Sequence, residues 1–370
     1  MAPPLDRQTK VCRPRPQAVA TGPAGEVRTL PSWREWWEQY VARLQRRDPA
    51  AWAATGAVVL ALGLMVYFSA ARRPPALQRG PLPAVPEAVS RGSGREPRLR
   101  VYFHETGRVE EMDMEEYLKG VVAAEMEPAW PLAALEAQAI IARTFTLERI
   151  DADGGVPERN AHASTDHREF QAYNAQRVNE QVEQAVANTR GQVVVHDGRF
   201  ARTWFHAYSG GQTTTPAEGL GVDAELDYLP SVVDRELDED IPEEVKFWTM
   251  RVPGSRLRRA VERLSGKDPG TPRTVRVSRW TDSGRAATIS VNGVDVGGNA
   301  LRAELGGEQF KSTMLREITV EDGAVVFQGK GYGHGVGLSQ WGAKVMADRG
   351  KSAEEIVARY YRGTYIGRLW

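Results

Sequence analysis

Between residues 329 and 337 every second position is glycine: Gly329, Gly331, Gly333, Gly335 and Gly337 alternate with Lys330, Tyr332, His334 and Val336. Glycine inside an element costs backbone entropy and forgoes side-chain burial, so a chain that repeats it in this way needs bare backbone there. The pattern predicts an extended segment. One side is stripped for the close approach of a ligand or another backbone, and the other carries Lys330, Tyr332, His334 and Val336. Residues 338–343 read as the opening of a helix. A nucleotide loop is excluded, because the run lies near the end of the chain with no room for the βαβ unit it would open. Gly350, Lys351 and Ser352 resemble the tail of a phosphate loop, but Val345 stands where that loop needs its first glycine. Gly350 instead ends one helix, and Ser352 with Glu355 forms a capping box that starts the next, over residues 353–361.

The remaining chain organises around an uncharged run of twenty residues from Trp52 to Ala71. At helical rise it spans about 30 Å, one hydrocarbon core. It starts too far from Met1 for a simple cleaved leader and reads as a retained anchor. Arg43, Arg46 and Arg47 precede it, against Arg72 and Arg73 after it, which favours a cytoplasmic N-terminus and an extracytoplasmic folded part. Four regions follow: a largely disordered cytoplasmic tail over 1–50, a single transmembrane helix over 51–71, a Pro/Gly/Arg linker over 72–97, and a folded domain over 98–370. The 48 basic and 48 acidic side chains cancel, so nothing in the totals points to a nucleic-acid partner. The single cysteine, Cys12, excludes an intrachain disulfide and a cysteine metal site.

The folded part reads as α+β, with mixed helices and antiparallel strands forming one domain behind the single membrane helix. A hairpin is expected over 99–103 and 108–112, then helices over 114–125, 131–150 and 178–188. Strands follow over 192–196 and 201–208, around a turn at Asp197-Gly198. The acidic residues 234–244 read as a solvated excursion. A helix over 255–264 and strands over 275–280, 287–291 and 325–328 precede the glycine run.

Glu125 breaks the local pattern. Leu118, Val121 and Val122 form the apolar stripe of the first helix, and Glu125 continues it, while Glu115, Glu116 and Lys119 lie elsewhere on the helix. Burial and the helix C-terminus both disfavour the ionised form and raise the pKa. A carboxylic acid that keeps its proton near neutral pH suits general-acid cleavage of a glycosidic bond. Two plainer readings stand beside it: Glu125 bends out to solvent, or it pairs with Arg143 on the next helix.

Three long motifs then carry a resemblance. Residues 116–126 (EYLKGVVAAEM) with 134–139 and 142–145, residues 201–211 (ARTWFHAYSGG), and residues 329–343 with 360–364 resemble, in order, the motifs of the SpoIID/LytB domain family of stage II sporulation protein D. The resemblance covers residues 98–370 and implies a lytic transglycosylase. Such an enzyme cuts the β-1,4 bond between N-acetylmuramic acid and N-acetylglucosamine in peptidoglycan glycan strands already stripped of stem peptides, leaving a 1,6-anhydro end. It also implies a cell-wall amidase and sporulation membrane proteins as partners, and it assigns the catalytic acid to Glu125. The alternative it carries is a non-catalytic, glycan-binding activator of such an amidase.

Some members hold zinc in the loop after the second helix. Here that loop has no cysteine. His162, Asp166 and His167 are legitimate ligand types, but the expectation is a metal-free site without cofactor. The substrate-binding candidates are Arg143, Gln171, Tyr173, His206, Ser209, Gln212, Tyr332, His334, Ser339 and Gln340. Several have a second reading: Arg143 orients Glu125 or braces two helices, His206 is a groove residue or a core histidine, and Ser339 binds substrate or caps the last long helix. Trp341 is likewise either an aromatic wall or plain core.

Overall fold

The structure, a computed structural model, describes residues 80–222 and 226–370 together with residues 38, 40–43, 45 and 46. The chain divides into two units, Met1–Pro74 and Pro75–Trp370. In the first, the described residues are helical from 38 to 45 and end in a turn at Arg46. The expected membrane span and nearly all of the tail lie outside the described residues, among which no helix is long and apolar enough to cross a membrane.

The second unit is docked from Gly80 onward, earlier than the expected boundary at 98. The Tyr365 hydroxyl donates to the Pro81 carbonyl at 2.5 Å, and Val89 is buried. Glu96 accepts the Glu115 N–H at 2.8 Å. Proline-rich chain, which read as a linker, packs here as an extended strap that needs few backbone donors.

Strands β1 (Arg98–Phe103) and β2 (Arg108–Asp113) form the hairpin, and β3 (Ala163–Ser164) joins β1 in parallel. Helix α1 (Met114–Glu125) ends just before Pro128, and α2 (Leu132–Asp153) begins after Pro131. Gly154 stops α2 in the left-handed region at φ 74°, its N–H bonded to the Ile150 carbonyl at 3.0 Å. Asn179 caps α3 (Glu180–Asn188) through the Val182 N–H. Buried Leu135, Ile140, Ile141 and Leu147 make α2 the central post of the first core. Each contributes about 1.5–3 kcal/mol through removal from water.

Strand β4 (Gln192–His196) lies between β5 (Arg199–Phe200) and the C-terminal β14 (Tyr365–Arg368). The single strand expected over 201–208 is broken. Its second half, β6 (Phe205–His206), leaves that sheet and pairs in parallel with β13 (Leu338–Ser339). The strands are therefore not all antiparallel, and the middle and closing motifs are joined by main-chain pairing.

After two short helices, α4 (Pro216–Leu220) and α5 (Glu243–Lys246), the chain builds a second core. It comprises β7 (Phe247–Pro253), α6 (Gly254–Ser265), β8 (Val275–Trp280), β9 (Ala286–Val291), β10 (Val294–Gly297), α7 (Gly298–Leu305), β11 (Leu315–Glu321) and β12 (Ala324–Lys330). Val252, Leu257, Ile289, Leu301, Phe310 and Phe327 fill it. The expected single domain is thus one unit with two cores, and β7, β10, α7, β11 and β14 are additions to the predicted elements. Helices α8 (Gln340–Asp348) and α9 (Ala353–Tyr360) return to the first core, with the Ser352–Glu355 capping box in place.

The acidic stretch is not a solvated excursion. Asp234, Leu237 and Ile241 recur at helical spacing and are buried. Asp234 accepts from Arg359 and from the Tyr360 hydroxyl, and Asp238 accepts from the Tyr208 hydroxyl at 2.6 Å and Lys330 Nζ at 2.5 Å. Its inward carboxylates tie the end of β12 to the middle motif.

Candidate active site

Glu125 sits at the last position of α1, partly buried, with its carboxylate turned to the core side of the helix. Oε1 accepts the Ala172 N–H at 2.8 Å, and Oε2 accepts from Gln340 Nε2 at 3.3 Å. Among the described residues no cation pairs with it. Loss of water raises its pKa to about 7, against the lesser, opposite pull of the Ala172 and Gln340 donors. Neither plainer reading of the sequence holds, since the side chain is bonded on both oxygens and Arg143 is bound elsewhere. Gln340 opens α8, 215 residues from Glu125 in the chain, so the first and last motifs meet at this carboxylate.

The glycine run brings Gln340 there, but not as an extended strand. Gly331, Gly333, Gly335 and Gly337 take φ of 86°, 106°, 84° and 70°, the left-handed region that other residues avoid. Their bare sides are filled by protein rather than left for a ligand. A Cβ on Gly337 would lie 1.9 Å from the Trp204 carbonyl oxygen, and one on Gly333 would lie 2.7 Å from the His206 Cβ. The segment is a wall pressed onto the middle motif.

His206 and His334 face each other across this contact, ring centroids 5.6 Å apart. His206 Nδ1 lies 3.1 Å from the Val336 carbonyl, so it carries the hydrogen, and the buried Nε2 has no partner among the described residues. His334 Nδ1 accepts the Val336 N–H at 3.0 Å. Burial holds both imidazoles far below the usual range, His334 at about 3, helped by neighbouring Arg285 and Arg302. Both rings are neutral at physiological pH.

Other candidates lie close by with different duties. Tyr173 lies over Gly120, stacks on Tyr117 at 5.8 Å and meets Phe103 edge-on at 5.6 Å. Tyr332 pairs with Tyr208 through two backbone bonds and carries Lys311 Nζ 5.3 Å from its ring centre. Trp341 is partly exposed and packs against Trp130 at 4.9 Å, edge to face.

Five candidates are engaged by other parts of the protein. Arg143 is fully buried and holds Glu115 through Nε at 3.1 Å and through the terminal nitrogen at 2.5 Å, so it braces α1 against α2. Glu115, which lies off the apolar stripe, is buried as well. Gln171 is buried and donates to Thr146 Oγ1 at 3.0 Å. Ser209 and Ser339 are fully buried: the Ser339 hydroxyl caps α8 and also accepts the Ser209 N–H at 3.2 Å. Gln212 turns to the Ser231 hydroxyl at 3.0 Å.

Sequence reasoning missed Tyr117, Trp130, Arg285 and Arg302. Tyr117 was within reach, two turns before Glu125 on the same face. Trp130 sits in the turn between α1 and α2. Arg285 is fully buried without a carboxylate bound to it. One guanidinium nitrogen donates to the Ser209 carbonyl at 2.8 Å, and the other two have no partner among the described residues. Its guanidinium occupies the space where a side chain on Gly335 would go. Among the described residues no group of three or more His, Cys, Asp or Glu side chains is placed to hold a metal. His162 Nδ1 accepts the Arg100 N–H at 3.0 Å, and Arg168 occupies Asp166.

Comparison of the sequence with known proteins finds several relatives. The family model described as Stage II sporulation protein matches residues 102–196. Stage II sporulation protein D of Bacillus amyloliquefaciens is 31% identical over 345 residues, covering 86% of this chain and 95% of that one. An uncharacterized protein of Brachyspira hyodysenteriae is 32% identical over 259 residues, 70% of this chain and 67% of its own. The amidase enhancer of Bacillus subtilis is 26% identical over 292 residues, 67% of this chain and 40% of its own length.

Proposed function

The chain belongs to the stage II sporulation protein D family, and from that premise we propose that it is a lytic transglycosylase of peptidoglycan acting in sporulation. Its bond is the β-1,4 link between N-acetylmuramic acid and N-acetylglucosamine. The observation that carries the reading is Glu125, a carboxyl with no cation partner among the described residues, held by Ala172 and Gln340 with a pKa of about 7.

At that value a large share of the side chain is protonated near neutral pH, while its conjugate base remains accessible. Glu125 gives its proton to the leaving oxygen as oxocarbenium character develops on the muramic ring. The C6 hydroxyl of the same sugar attacks the anomeric carbon, and the Glu125 carboxylate takes up that hydroxyl's proton. The 1,6-anhydro ring closes and the acid is restored. Because the nucleophile belongs to the substrate, a second carboxylate is not required. Gln340 and the Ala172 N–H stabilise the transient carboxylate, and the aromatic faces of Tyr173, Tyr332 and Trp341 are suited to sugar rings. The uncharged run over 51–71 serves as the anchor, with the second unit outside the cytoplasmic membrane.

Likeness to an amidase enhancer favours one second reading, a glycan-binding protein that stimulates a cell-wall amidase without cutting sugar itself. A Glu125→Gln variant separates the two. Under the transglycosylase reading, release of anhydro-ended fragments, followed by mass spectrometry, falls by about 10³-fold, the scale of a lost general acid. Unchanged release overturns the assignment, and products heavier by one water point to hydrolysis.

A further inference from the structure

Beside Tyr332 the second core opens a cleft of about 640 Å³, lined by Arg256, Arg302, Leu305, Tyr332 and the loop residues His167 and Arg168. The volume suits a sugar-sized ligand. Its charges are unusually disposed. Arg302 donates through Nε to the Lys311 carbonyl at 3.1 Å, and Arg256 donates to the Leu305 carbonyl at 2.7 Å. Carbonyls orient a guanidinium without cancelling its charge. Among the described residues neither arginine has a carboxylate within ion-pair distance, and neither does Lys311 above the Tyr332 ring. Arg168 is neutralised by Asp166. Glu308, on the rim, is 81% exposed and lies 4.0 Å from His167. Among the described residues Arg256 and Arg302 therefore leave the cleft wall positive, with Glu308 as the carboxylate in its lining.

A positive, aromatic-walled cleft of this size calls for an anionic sugar. The glycan strand itself offers one kind of anion, the lactyl carboxylate on each muramic acid. That group is neutral while a stem peptide is amide-linked to it and becomes a free carboxylate once the amide is hydrolysed. We propose that Arg302 and Arg256 bind the free lactyl carboxylate of a muramic acid residue, with Tyr332 against the sugar face. This subsite rests on the peptidoglycan reading above and names the group on the strand that is read. Since muramic acid recurs at every second sugar, the residue held in the cleft can be a neighbour of the one cut at Glu125.

The test is binding, which does not need turnover. Full-length protein in detergent, carrying Glu125→Gln, is titrated with denuded strands and with the same strands after their lactyl carboxylates are converted to neutral methylamides. The free strand should bind about tenfold more tightly, as a charge-assisted bidentate contact predicts, and the gap should shrink with salt. Arg302→Gln should weaken the free strand about tenfold and leave the methylamide strand unchanged, so that the two bind alike. Arg256→Gln should do the same to a lesser degree. Equal binding of the two strands by the unmodified cleft overturns the proposal, and so does an equal loss on both strands in Arg302→Gln. The first comparison needs no arginine variant to fold. If Glu125→Gln still releases anhydro ends, the transglycosylase reading fails, while the carboxylate subsite stands or falls on the binding data alone.

Discussion

The two ends of helix α1 each put a carboxylate into the protein, and they are treated in opposite ways. At the N-terminal end Glu115 meets a fully buried guanidinium, the Gly191 N–H at 3.0 Å and the indole of Trp370 at 3.0 Å. At the C-terminal end Glu125 meets one backbone N–H and one neutral amide, with no cation among the described residues. Helix polarity widens the contrast, because the N-terminus favours a negative charge and the C-terminus opposes it. A charge with a partner is part of the scaffold, whereas a carboxyl denied a partner is left with a proton to lend. Ten positions of one helix separate a brace from an acid.

The comparison breaks most visibly if the roles can be exchanged. Glu125→Gln is expected to abolish nearly all bond cleavage, by about 10³-fold, with the fold intact. Glu115→Gln is expected to keep activity per folded molecule and to lower unfolding free energy by about 3 kcal/mol, because Arg143 is then buried without its counter-ion. Denaturant melts and product release measured on the same samples decide it. A Glu115 variant that loses chemistry while holding its stability would remove the distinction between the two ends.

The sequence made one end legible and left the other open. Glu125 stood out because it extended the Leu118–Val122 stripe, and periodicity on a helix is a reliable guide to face. Glu115 was placed only off that stripe, and the chain after α3 and the C-terminal Trp370 cover that side as well. Periodicity names the face of a helix without naming what a distant segment brings to it. The same gap sent Arg143 toward Glu125: one helix faces another, yet the turn at which they touch is set by tertiary packing. The glycine run was read as an extended place of close approach for a ligand or another backbone; the approach is made by protein, and the backbone is left-handed rather than extended. Its occupant, Arg285 for Gly335 and the Trp204 carbonyl for Gly337, lies in residues that no local rule connects to it. The residues 234–244 were misjudged because total acidity hid the inward spacing of Asp234, Leu237 and Ile241.

The contrast sharpens with pH. The folded Glu125 pKa of about 7 stands above the ordinary 4.5, so the folded state binds more protons than the unfolded state between those values. Stability contributed by this site is therefore present at low pH and is lost as pH rises toward 7. Replacing Glu125 with neutral Gln should leave unfolding free energy almost unchanged near pH 4 and raise it by about 3 kcal/mol near pH 8. Melts of both proteins across that range test it, and a pH-independent difference would mean that Glu125 is not the group held back from ionising. In the same frame, activity that requires the protonated acid should decline above an apparent pKa of about 7.

The smallest effect isolates the meeting of the first and last motifs. Gln340 donates to Glu125 at 3.3 Å and so favours the carboxylate form. In Gln340→Leu that donor is gone, the Ala172 N–H is left alone against desolvation, and the pKa of Glu125 rises further. The alkaline limb of the activity profile should therefore move to higher pH. Peak activity should also fall, because the carboxylate formed in the transition state loses a hydrogen bond of about 1 kcal/mol, a few-fold in rate. Gln340→Glu should push in the same direction more strongly, since a second carboxyl within reach opposes ionisation of the first. A profile that drops in height without moving would assign Gln340 to sugar binding rather than to the acid. A profile that moves to lower pH would contradict the donor geometry, because only a group that favours the protonated form can shift it that way when removed.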